Sequence, residues 1–115
     1  MDADAHRSSA ASAAQAANMS VAAVAQNRRV EELRRAYQRR LNRRPTTLQR
    51  AIMSNAAVLT ARAEIASADP ACSINDYVRA CRVAKEARDA VEAMLAQAES
   101  EEEYRTLDQM LAEAE

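Results

Sequence analysis

The sequence predicts an all-α, oligomeric protein: an antiparallel helical hairpin with a coiled-coil-like seam, a basic helix before it and a short helix after it. Three observations predict this. Glycine, phenylalanine and tryptophan are absent and proline occurs twice, so the turn residues and aromatic anchors of β-sheets are missing. Two long apolar patterns at helical spacing flank one short break, Asp69-Pro70-Ala71-Cys72-Ser73. Charge reverses along the chain while the whole stays near neutral, at −1. At 115 residues there is room for one domain with appendages.

Residues 1–20 read as a flexible tail, small and polar, although their alanines could extend a helix. His6 in this tail is a bystander. Residues 21–44 read as a basic helix whose apolar stripe, Val30, Leu33, Tyr37 and Leu41, recurs at steps of three, four and four and can dock on the hairpin or on a neighbouring subunit. Around it stand Arg28, Arg29, Arg34, Arg35, Arg39, Arg40, Arg43 and Arg44, opposed by Glu31 and Glu32, so eight positive charges against two negative leave +6. With Arg50 these arginines are the candidate DNA-binding residues. Guanidinium forks match phosphate oxygens, and each neutralised phosphate releases counterions, which gives affinity without base selectivity. Tyr37, the one aromatic in the stretch, lies on the apolar stripe, so contact with duplex backbone is favoured over base stacking. The competing expectation is that this surface docks on the protein's own acidic half.

Residues 45–99 read as the hairpin and oligomerisation core. Thr46 followed by Gln49 is a capping-box start beside Pro45, Pro70 ends the first helix, and Ser73 with Asp76 restarts the second. The expected seam is Leu48, Ile52, Ala56, Leu59, Ala63 and Ala66 against Ile74, Tyr77, Cys81, Ala84, Ala87, Val91, Leu95 and Ala98, its alanines permitting close approach. A second stripe, Met53, Ala57, Ala61, Ile65, Val78, Val83 and Met94, would stay wet on a lone hairpin. These residues are the expected oligomer interface, since a hairpin of about fifty residues is a small core on its own. Residues 100–115 read as an acidic partner-docking segment. Ser100 with Glu103 looks like another capping box, and Tyr104, Leu107 and Leu111 form an amphipathic stripe among carboxylates; from Glu86 to Glu115, ten carboxylates against Arg88 and Arg105 leave −8.

Several function classes fall away. Without glycine there is no phosphate-cradling loop, and exposed neighbours such as Glu31 and Glu32 have no pocket or histidine to tune them, so no enzyme activity and no cofactor are expected. Cys72, Cys81 and His6 cannot complete a four-ligand metal set, and both cysteines read as structural. Apolar windows are interrupted before the roughly 20 residues a membrane span needs, so no membrane association is expected. Fifteen arginines against one lysine are associated with a GC-rich bacterial or phage coding sequence.

The layout from residue 28 to the end resembles the small terminase subunits of tailed phages and phage-like gene-transfer particles. Carrying the resemblance are the basic RRLNRRPTTLQRAIMSNAAVLTARAE, the turn ADPACSINDYVRA and the acidic end. It implies a non-catalytic DNA-packaging adaptor in the cytoplasm of a bacterial host. Its hairpins would assemble as a homo-oligomeric ring, its N-terminal part would meet double-stranded DNA, and its C-terminal segment would engage the large terminase ATPase-nuclease subunit. Many members carry an N-terminal helix-turn-helix domain; here the space before Pro45 holds one long helix at most, which points to backbone contact. The alternatives are a small helical adaptor or structural protein without a nucleic-acid ligand, and a basic helical regulator of transcription or nucleoid structure.

Overall fold

The computed structural model describes residues 2–114, with side chains from residue 21 onward. Glu115 and the side chain of His6 lie outside the described residues. Three helices account for the chain: α1 (Asp2–Leu41), α2 (Thr47–Ala68) and α3 (Ile74–Ala114). No strand occurs among the described residues.

Local chemistry sets most of the boundaries. The α2 start is a formed capping box: the Gln49 amide donates to Thr46 Oγ1 at 3.1 Å, and the Thr46 amide donates to Gln49 Oε1 at 2.9 Å. At the other end Asp69 is extended ahead of Pro70, and its carboxylate accepts from the Ala71 amide at 2.9 Å. Ser73 then caps α3, its hydroxyl accepting from the Asp76 amide at 3.1 Å. Leaving α1, the chain takes a left-handed residue, Asn42 at φ 53°, whose amide donates back to the Gln38 carbonyl at 3.1 Å. In a glycine-free chain asparagine fills the helix-ending place that glycine usually takes. The Gln38 side chain closes this corner by donating to the Arg43 carbonyl at 2.7 Å.

Two boundaries differ from the sequence expectation. Residues 1–20, expected as a tail, carry helical backbone from Asp2 onward, because an alanine-rich run without proline or glycine continues the helix. The acidic end is not a separate short helix: Ser100 sits in mid-helix and α3 runs on to Ala114. A serine caps only where the residue itself leaves helical angles, and the strong helix formers around Ser100 give it no reason to do so.

The core is where all three helices meet: Leu41 from α1, Met53 and Ala56 from α2, and Ala87, Val91, Met94, Leu95 and Ala98 from α3, with Tyr37, Ile52 and Leu59 packed against them. Most packing joins α2 to α3, less joins α1 to α2, and α1 meets α3 least. The expected seam is thus buried from Ala84 onward but frays at its ends. Ile74 is 80% exposed beyond the end of α2, and Leu48 is 70% exposed on the rim of a shallow groove with Ala93, Met94 and Gln97.

The expected oligomer interface needs a correction. Met53, Ala57, Ala61 and Met94 are buried within the single chain. On α2, Met53, Ala57 and Ala61 recur every four residues and lead on to Glu64, which pairs with Arg29 of α1. α1 therefore lies along that stripe and covers it. Ile65, Val78 and Val83 stay exposed.

Candidate nucleic-acid interface

With about 100° between successive residues, the docked face of α1 is set by half-buried Val30, Leu33 and Tyr37 and buried Leu41. Tyr37 packs on the core, so its ring is not available for stacking. On the opposite side Arg28, Arg35 and Arg39 fall within about 40° of one another, all exposed. The helical rise places Arg35 and Arg39 about 6 Å apart along the axis and Arg28 about 10.5 Å before Arg35. This is a cationic ridge on a rigid element.

Not all the candidate arginines belong to it. The Arg29 Nε and Nη2 donate to the two oxygens of Glu64, both at 2.9 Å, while Nη1 reaches Glu32 at 3.2 Å. The Arg40 fork meets both oxygens of Glu92 at 2.6 and 2.7 Å. Arg43 reaches Glu101 at 3.3 Å, and Arg34 reaches Glu31 at 2.7 Å. The bonds from Arg29 hold the Glu64 carboxyl below the usual carboxylate value, and those from Arg40 do the same for Glu92. Both guanidinium groups are correspondingly pushed up by the same hydrogen bonds. Arg29, Arg40 and Arg43 thus tie α1 and the following turn to α2 and α3. Among the described residues Arg28, Arg35, Arg39, Arg44 and Arg50 make no ion pair with a carboxylate. Arg35 and Arg50 line one shallow cleft between α1 and α2, which brings two of these five together.

Sequence reasoning did not identify Glu64, Glu92 and Glu101 as partners of particular arginines. The reversal of charge in α3 was the available signal, but the register that joins residues 35, 52 and 58 apart is tertiary. At the acidic end Tyr104, Leu107 and Leu111 are exposed, and Met110, not singled out from the sequence, joins them at 61% exposure. Its three-residue step from Leu107 was the usable signal.

Cys72 and Cys81 are free and half-buried; the neighbouring Cys81 thiol raises the Tyr77 phenol above its ordinary value. Among the described residues no group of three or more His, Cys, Asp or Glu is placed to hold a metal ion, and no helix is long and apolar enough to cross a membrane. Compared with known proteins, the chain matches no family model, no curated protein and no solved structure.

Proposed function

We propose that the protein is a non-catalytic, oligomeric helical adaptor that holds double-stranded DNA by its phosphate backbone, in a genome-packaging role like that of a small terminase subunit. One observation carries it: Arg28, Arg35 and Arg39 form an exposed ridge opposite the docked face, with no carboxylate partner among the described residues. A helix pinned through Arg29 and Arg40 presents that ridge without needing to be ordered by its ligand, and charges fixed in advance lose less entropy on binding. The packaging context comes from the resemblance of the layout, as does engagement of a large ATPase-nuclease subunit.

The test is a gel-shift series on the full chain. R28Q/R35Q/R39Q is expected to lower affinity roughly tenfold or more at low salt and to reduce the slope of log affinity against log salt by about 2 to 3. R29Q/R40Q/R43Q removes the same charge from paired positions and is expected to change the slope less. Equal loss in both variants would make net charge, and not the ridge, the determinant. The ion pairs of Arg29, Arg34, Arg40 and Arg43 favour a second reading, a helical adaptor without nucleic acid; absence of binding at low salt would select it.

A further inference from the structure

Beyond Ala98, α3 runs past the core with Tyr104, Leu107, Met110 and Leu111 all more than half exposed. Glu103, Leu107 and Met110 fall within about 60° on that helix, roughly 120° round from buried Val91, Leu95 and Ala98. The protein's own core does not cover them. Two such ends cannot readily cover each other either: from Glu99 to Ala114, six carboxylates against Arg105 leave −5, and pairing them would set like charges face to face.

The outer face of α1 offers the complement. Val21 and Val24 are 70% and 58% exposed, and Arg28 follows four residues later on the same face. The steps Val21, Val24, Arg28 are three and four; read backwards, Met110, Leu107, Glu103 are also three and four. Two helices laid antiparallel therefore bring valine to methionine, valine to leucine and arginine to glutamate in one register. Glu99 falls in the same register beside Glu32, flanked by Arg28 and Arg35, and Glu32 already holds a bond from Arg29 at 3.2 Å.

We propose that a second copy of this chain covers this face, antiparallel, with Glu103, Leu107 and Met110 of one copy against Arg28, Val24 and Val21 of the other. A two-fold relation makes the contact reciprocal, so each α3 end lies on the other copy's α1 and the assembly closes as a dimer. The interface replaces the one expected from Met53, Ala57, Ala61 and Met94, which the protein buries within itself. It does not depend on the nucleic-acid reading, although Arg28 and, beside the partner's Glu99, Arg35 belong to both surfaces, so DNA and the α3 end compete for that part of the ridge.

Sedimentation of the full chain, free of nucleic acid, tests the pairing. The wild type is expected to be a dimer at micromolar concentration. Arg28→Glu and Glu103→Arg should each weaken the dimer about tenfold or more, and the double exchange R28E/E103R should restore it. Leu107→Ser should weaken it with helix content unchanged, because the side chain lies outside the core. A wild-type monomer, single reversals without effect, or a double exchange that fails to recover association while keeping its helicity would each overturn the proposal. DNA binding in the same variants is read separately, so its failure leaves this result intact.

Discussion

The Arg40 fork meets both oxygens of Glu92, Arg29 does the same to Glu64, and each contact joins α1 to a different helix. Because both carboxyls sit below their ordinary value of 4.5, they contribute stability that is fully present above the unfolded value and lost as pH falls through the folded one. The docking of α1 is therefore expected to loosen once pH drops below 4.5. The effect is small because both pairs are about half exposed and screened by solvent. Amide shifts of residues 29–41, followed by NMR through an acid titration, check it: E64Q/E92Q should already show the loosened shifts at neutral pH, and identical shifts in the two proteins would contradict the assignment. Thr60 carries a different cost, since it is 8% exposed and its hydroxyl has no hydrogen-bond partner among the described residues. Thr60→Val keeps the shape and removes the orphaned group, so it is expected to raise stability by about 1 kcal/mol in thermal unfolding. Destabilisation would mean that the hydroxyl finds a partner.

At the scale of elements, caps were legible and coverage was not. Thr46 with Gln49 and Ser73 with Asp76 are local devices, complete within four residues, and both form. Ser100 with Glu103 carries the same letters, but α3 continues through it, because no proline or glycine interrupts the helix formers on either side. The stripe of Met53, Ala57 and Ala61 was legible as apolar; that α1 covers it was not, because periodicity shows which face needs burial and not which element supplies it. The distinction can be measured. Met53→Glu, at a position 4% exposed, is expected to cost on the order of 3 to 5 kcal/mol and to release α1 or unfold the chain. Ile65→Glu, at 49% exposure, should change stability by under about 0.5 kcal/mol. Chemical denaturation of both variants decides, and equal effects would place the two residues in one environment.

For the whole molecule, the principal extents are 89, 28 and 17 Å, because α1 and α3 are each nearly twice as long as α2 and overrun it. The charge polarity seen in the sequence is partly closed by the fold: Arg29, Arg40 and Arg43 lean on Glu64, Glu92 and Glu101, joining the basic stretch to carboxylates of α2 and α3. Composition could show how many arginines there are, but not which are spent on holding the helices together; that depends on register between residues far apart in sequence. Among the arginines that the fold leaves without a carboxylate partner are Arg28, Arg35 and Arg39 on one ridge, and the central claim is that this ridge binds DNA backbone. The most direct measurement is affinity across a salt series for two duplexes of unrelated sequence. The account expects log affinity to fall linearly with log salt, with the same slope and nearly the same affinity on both duplexes, since phosphate contacts carry no direct sequence information. No binding at low salt, or affinity that differs strongly between the duplexes with little dependence on salt, would contradict it.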